Sequence, residues 1–413
     1  MSNSLVKNTS SRLDFLDGIR ALAALWVMFG HIHLFTYGWD SHASWSTQPL
    51  NVLRYLHIAV VVFLVLSGFC LALPVVRNDN RLRTSLLDYF KARSLRILPP
   101  YYATLFLILL VNFFVPIVSW GRNAMGLTSE MPYQVFWTNA LLLQDIFGIF
   151  NNVNGPFWSI ATEWHLYFLF PLTIWLLRKF GAWALLLSGA VLATALTWLS
   201  MAVPYLSTTW QMSVPQPPYF VVLFVMGIAA AWFAFGGNSE QRTRTHQKTI
   251  WMAAALLLLP LGLLLWQYRI IDGSNVHLFQ EHVHLIDPLC GAVAALLLAG
   301  LSHLPCSHLV RRILEARVLV WIGGFSYSLY LTHIPILGAL NHALDVLIPQ
   351  KSAHLAFVLM SVIGSVLCLG FAWILGGIFE TRRWRTFLSP GKSAKESSQA
   401  LPLRLSELEN EHR

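Results

Sequence analysis

Apolar runs of about 20 residues recur along the chain between short polar stretches, each long enough to cross roughly 30 Å of hydrocarbon as a helix. Ten such spans are predicted, at 18–37, 54–73, 98–119, 156–177, 181–200, 218–236, 249–267, 285–303, 319–340 and 353–379. The pattern predicts an all-α fold, a polytopic transmembrane helical bundle of about ten spanning helices. Residues 133–150 (YQVFWTNALLLQDIFGIF) are also apolar, but counting them as a span inverts every later loop. They are read as a short interfacial or re-entrant segment on the outer side, tolerated where it packs in protein. The transmembrane domain is expected over 1–385, followed by a polar, disordered cytoplasmic tail at 386–413. No soluble domain is read after the last span, and no internal repeat.

Composition narrows the class. Of 413 residues, 56% are hydrophobic and 11% charged, against about 25% charged in an ordinary soluble domain. The lipid bilayer is therefore the first expected partner. A net charge of +9 does not point to nucleic acid, because no basic stripe carries interleaved aromatics. Lys and Arg instead follow the positive-inside rule: with the N-terminus inside, 24 of the 28 fall on the inner side. Only Arg54, Arg122, Arg269 and Lys351 fall outside, so both termini are expected in the cytoplasm. Cys70, Cys290 and Cys368 lie within apolar spans, which argues against a disulfide framework. The first apolar stretch carries Arg20 and His31, unlike the core of a cleavable signal peptide.

Polar residues inside spans are the candidates for chemistry, since ionisable groups there are costly unless they face protein or water. Arg20 and His31 are eleven residues apart, about 20° from each other on one helix face and roughly 16 Å apart along the axis. Ala24 and Val27 lie between them; a snorkelling Arg20 and a carbonyl-bonded His31 are the bland alternative. In the fourth span Ser159, Glu163 and Tyr167 recur at i, i+4 and i+8 beneath Trp158, and a carboxylate there needs a proton or a cation. His165 lies about 160° from Glu163 on that helix and reads as an interfacial or packing residue. Ser326, Tyr330 and His333 share a face of the ninth span, after Gly323-Gly324. Lys91, Arg93 and Arg96 precede the third span; Arg forks suit phosphate oxygens, though ordinary positive-inside charges explain them equally well. No metal is expected: His31 and His33 cannot share one on a helix face, and Glu281, His282 and His284 are read as an exposed loop. Ser67 lacks the flanks of a nucleophile elbow.

Together these motifs resemble the membrane-bound acyltransferase type 3 family, whose members modify lipopolysaccharide, peptidoglycan, exopolysaccharides and some small molecules. The opening LDGIRALAALWVMFGH carries Arg20 and His31 in an Arg-x10-His pattern. Ser67-Gly68-Phe69 matches the SGF of the second span, and Arg93 with Arg96 matches Arg-x-x-Arg. WSI-x-x-E-x-x-x-Y matches Trp158, Ser159, Ile160, Glu163 and Tyr167; FSYSLYLTH matches Phe325 to His333, and Glu380 resembles the closing acidic residue. The motifs run in order over residues 13–382. Some members carry a C-terminal hydrolase domain, which is not read here.

The resemblance implies acyl transfer, acetyl foremost, from cytoplasmic acyl-CoA to a hydroxyl of a cell-surface or exported glycan or lipid-linked sugar. If the source is bacterial, the location is the cell (inner) membrane. His31 is implied as the general base or a transient acyl carrier. Arg20 steers the donor, and Glu163 holds His31 in one tautomer or binds the acceptor. Arg93, Arg96 and Ser67 are implied at the donor, and Trp158, Ser159, Tyr167, Tyr330 and His333 at the substrate. A proton-coupled transporter using the buried His, Glu and Arg as a relay is the alternative class.

Overall fold

The computed structural model describes residues 13–38, 48–114, 133–146, 153–202, 219–236, 239–269 and 273–380. Every described element is helical. In chain order they are Asp14–Tyr37 (α1), a 3-10 turn at Gln48–Tyr55, Leu56–Val76 (α2), Leu86–Phe114 (α3) and Tyr133–Ala140 (α4). A long run, Phe157–Ala202, is broken at Gly181, whose φ of 83° separates α5 (157–180) from α6 (182–202). Then follow Phe220–Phe235 (α7), Ser239–Gln267 (α8), Gly273–Leu301 (α9), Leu309–Leu314 (α10), Arg317–Gly323 (α11), Ser326–Leu347 (α12) and Ala353–Phe379 (α13). A π turn at Met360–Gly364 lies inside α13.

The ten predicted spans fall on these helices, with corrected ends. The helices α3, α8 and α9 begin well before their apolar runs, because backbone hydrogen bonding carries on through the polar residues ahead of the membrane entry. The ninth span is divided at Gly324-Phe325 into α11 and α12. Glu281, His282 and His284, read as a loop, lie within α9; His282 Nδ1 is 2.8 Å from Leu278 O and its ring stacks on Tyr268. Six described helical stretches are long and apolar enough to cross a membrane, and one of them, Phe157–Leu199, holds two predicted spans. The shorter α7 has 16 residues. Both α3 and α12 carry the polar residues of the site described below, which dilute their apolarity.

The described part of the segment at 133–150, residues 133–146, is too short to span. It is the eight-residue α4, about 12 Å long, followed by turns to Ile146. Tyr101 and Tyr102 of α3 donate to Asn139 O and Ala140 O at 2.8 Å each, docking the C-terminus of α4. Residues 147–150 and the expected tail at 386–413 lie outside the described residues.

Small residues set the closest packing. A methyl group on Gly227 would sit 1.9 Å from Val65 O, and one on Gly68 2.0 Å from Phe224 O. The α2 and α7 backbones therefore touch, as in membrane bundles where van der Waals packing replaces the hydrophobic drive. One buried core gathers Phe69, Tyr101, Phe157, Phe170 and Phe224 from α2, α3, α5 and α7. A second joins α1 to α12 and α13 through Met28, Ile32, Leu329, Leu337 and Met360. On α8, Leu256, Leu259, Leu263 and Trp266 are 60–69% exposed. An apolar face of that kind is stable against lipid tails and not against water.

Candidate active site

The polar stripes predicted on separate helices converge on one cavity of about 100 Å³, room for several waters. Arg20 from α1, Ser67 from α2, Arg93 and Arg96 from α3, and Ser159, Glu163 and Tyr167 from α5 line it, with Ser326 and Tyr330 from α12. The i, i+4, i+8 spacing places the three α5 residues on the cavity wall together. Glu163 Oε1 accepts from Ser67 Oγ at 2.5 Å and from the Tyr167 hydroxyl at 2.6 Å. The carboxylate thus ties α2 to α5 and has a neutral donor on either side.

Three guanidinium groups face that single carboxylate. Arg20 is held by Asp17 Oδ1 at 2.5 Å and also donates to Cys70 Sγ at 3.0 Å. Arg93 and Arg96 enter no salt bridge among the described residues. Arg93 lies 6.0 Å over the Tyr89 ring, and its buried Nε has no hydrogen-bond partner among the described residues. Pro99 and Pro100 follow within α3 and remove two backbone donors just beyond the arginines. Tyr327 donates to Ile97 O at 3.1 Å and fixes α12 against that stretch. The balance of charge at the cavity favours an anion.

His31 and His333 do not line the cavity. They pack against each other, with His333 Nε2 3.1 Å from His31 Nδ1 and ring centroids 4.9 Å apart. The backbone fixes the tautomers. Leu329 O, 3.2 Å from His333 Nδ1, can only accept, so that nitrogen carries the proton and Nε2 is left as the acceptor. His31 Nδ1–H is then shared between Val27 O at 2.9 Å and His333 Nε2. In this arrangement His31 Nε2 carries an unshared lone pair and has no partner among the described residues. Tyr330 stands between the two regions: its hydroxyl shares a 2.8 Å hydrogen bond with Ser159, and its ring is 6.0 Å from that of His333.

Several expectations change at this point. Glu163 makes its hydrogen bonds to Ser67 and Tyr167 and none to His31 among the described residues, and the side chain that meets His31 Nδ1 is His333. The cause is axial: Arg20 and His31 share a face but sit at different depths, so they meet different helices. Trp158 lies off the cavity, stacked on Phe220 at 5.8 Å. His165 is more than packing, since its Nδ1 lies 2.9 Å from Asp145 Oδ2 and ties α5 to the turn after α4. Lys91 is exposed, and the predicted anion site reduces to the two arginines. Sequence reasoning missed Cys70 and Tyr327 on the cavity wall; Cys70 is one helical turn beyond Ser67, and Tyr327 adjoins Ser326. Among the described residues no group of three His, Cys, Asp or Glu is placed to hold a metal.

Comparison with known proteins bears on what this site does. Residues 13–377 match the type 3 family described as an acyltransferase domain. The chain is 26% identical over 336 residues to the acyltransferase MdmB of Streptomyces mycarofaciens, covering 79% of each. It is 23% identical over 344 residues to the peptidoglycan O-acetyltransferase OatA of Listeria monocytogenes, covering 81% of this chain and 51% of that protein. The putative peptidoglycan O-acetyltransferase YrhL of Bacillus subtilis is 25% identical over 332 residues, covering 78% and 48%. The chain thus spans about four-fifths of the first relative and about half of the other two. No solved structure matches it. With the motifs of five helices in family order and the match running over nearly the whole bundle, the chain belongs to the acyltransferase type 3 family and is a multi-pass membrane acyltransferase.

Proposed function

We propose that the protein moves an acetyl or related acyl group from cytoplasmic acyl-CoA to a carbohydrate hydroxyl of a surface or exported glycan. The observation that carries this reading is the pair Arg93 and Arg96, which line a polar cavity and form no salt bridge among the described residues. Guanidinium forks of this kind suit a pyrophosphate and a ribose phosphate, which coenzyme A supplies. Family membership supports the acyl group, and the peptidoglycan O-acetyltransferases among its relatives support a glycan hydroxyl as acceptor.

The roles follow the geometry. Arg93 and Arg96 hold donor phosphates beside Arg20, Ser67, Glu163 and Tyr167, and the pantetheine arm runs past Ser159 and Tyr330 to bring the thioester to His31. His31 Nε2 takes the proton of the acceptor hydroxyl as its oxygen attacks the thioester carbonyl. The products are the ester and free coenzyme A, whose sulfur receives a proton in exchange. Tyr330 and Ser159 line the passage between donor and base, and His333 fixes the tautomer of His31.

The orientation belongs to the same proposal, with both termini in the cytoplasm and the cavity arginines on that side. Thiol labelling of single cysteines should find positions 85 and 310 inside and 275 and 347 outside; the reverse pattern rejects a cytoplasmic donor. The donor assignment has its own test. The Arg93→Ala, Arg96→Ala double variant should weaken acyl-CoA binding by about 1.5–3 kcal/mol for each lost charged contact. Calorimetry on purified protein measures this, and undiminished affinity makes the two arginines topology signals only.

A further inference from the structure

A second buried polar cluster lies away from the donor cavity. Asp287 of α9 is fully buried, and its Oδ2 is 2.7 Å from His57 Nε2 and accepts from the Tyr219 hydroxyl at 2.9 Å. His57 stands at the start of α2 and Tyr219 just before α7, so one carboxylate joins three helices. Its other oxygen, Oδ1, is shielded from solvent and has no hydrogen-bond partner among the described residues. Buried polar atoms are nearly always paired, so this exception calls for an occupant. His57 has used Nε2 on the carboxylate, and its side chain is 28% exposed.

The depth of this cluster is fixed by packing. A methyl group on Gly30 would sit 2.7 Å from Leu56 Cβ, so His31 on α1 and His57 on α2 occupy the same level of the bundle. Ser67, at the donor cavity, is ten residues further along α2, about 15 Å away. The cluster therefore lies at the depth of His31, away from the donor cavity. Next to it the Phe220 ring packs between His57, at 6.4 Å, and Trp158, with which it stacks at an interplanar angle of 16°.

We propose that His57, Tyr219 and Asp287 form the hydroxyl-binding end of an acceptor subsite for a polyhydroxylated sugar ring, with the half-buried Trp158 as its aromatic side and Phe220 packed behind it. Sugar hydroxyls donate and accept together, and Asp287 Oδ1 offers an acceptor beside the imidazole and phenol. The apolar face of a pyranose suits flat aromatic rings. This inference rests on the glycan reading above, yet it can fail separately.

The test uses the whole protein in lipid nanodiscs and a β-1,4-linked tetramer of N-acetylglucosamine as probe. The wild type should bind the probe by calorimetry. Asp287→Asn and Tyr219→Phe should each weaken binding about tenfold or more, with acyl-CoA affinity unchanged. Tyr219→Phe keeps the ring and its packing, so it informs even if Asp287→Asn fails to fold. Absence of probe binding in the wild type overturns the proposal, as does wild-type affinity in both variants. So does a parallel loss of probe and acyl-CoA binding in Tyr219→Phe, which marks a clamp between helices. Probe binding without acyl-CoA turnover leaves this subsite standing and removes the glycan acyltransfer reading. Acylation of the probe by both variants with unchanged KM does the reverse.

Discussion

Replacing His31 with Gln is expected to lower acyl transfer by roughly 10²–10⁴-fold, the range typical of losing a general base. The expectation comes from the tautomer chain. Val27 O and His333 hold the Nδ1 proton of His31, leaving Nε2 as the open lone pair at that level of the bundle. Gln preserves an amide donor near Val27 but accepts no proton at neutral pH. Insertion and folding should persist, because the neighbouring positions Val27, Met28 and Ile32 carry the packing of α1. His333→Gln should show a smaller loss, since it disturbs orientation and not the base itself. His165→Gln, away from the cavity, serves as the control for disturbing a histidine in the bundle. A His31→Gln enzyme with near-normal transfer and a verified product removes the base and carrier roles together.

The second large effect is expected at Glu163. Its Oε1 receives Ser67 and Tyr167 while three arginines share the cavity. Gln in that position retains an oxygen for both hydroxyls, so stability should change by no more than about 1–3 kcal/mol. What it removes is the single negative charge on the cavity wall. Transfer should fall on the order of 10²-fold, the scale of misplacing a bound donor by about an ångström. Acyl-CoA affinity should hold or rise, because the arginines then face the anion without a competing carboxylate. Measuring kcat and donor KM separately distinguishes this from a folding defect. Near wild-type kcat in Glu163→Gln reduces Glu163 to a hydrogen-bond anchor between α2 and α5.

Much of this arrangement was legible along the chain, for physical reasons that also mark where legibility stops. Hydrocarbon thickness imposes a length on each span, and the helical period places Ser159, Glu163 and Tyr167 on one face without knowledge of any partner. The same period misleads when used alone. Arg20 and His31 share a face, yet their separation along the axis sends one to the cavity and the other to His333. Pairings across helices, such as Ser67 with Glu163 and Ser328 with Glu380 at 2.5 Å, depend on which helices touch, and periodicity carries no such information. The close approach of α2 to α7, at Gly227 against Val65 O and Gly68 against Phe224 O, is a case in point, since Gly227 alone is unremarked in its span. Asp287 was available to the rule that singled out Glu163, being a carboxylate just inside the eighth span. Its partners, 230 and 68 residues away in sequence, were not.

The central claim is that the acyl group leaves coenzyme A and arrives as an ester on a glycan. Membranes containing the protein, supplied on the cytoplasmic side with acetyl-CoA labelled in the acetyl group, test it most directly. The label should appear in glycan as an alkali-labile ester, with one free coenzyme A released for each ester formed. His31→Gln membranes should show neither. Wild-type membranes that leave the label on coenzyme A, while moving a solute in response to a pH gradient, contradict the account.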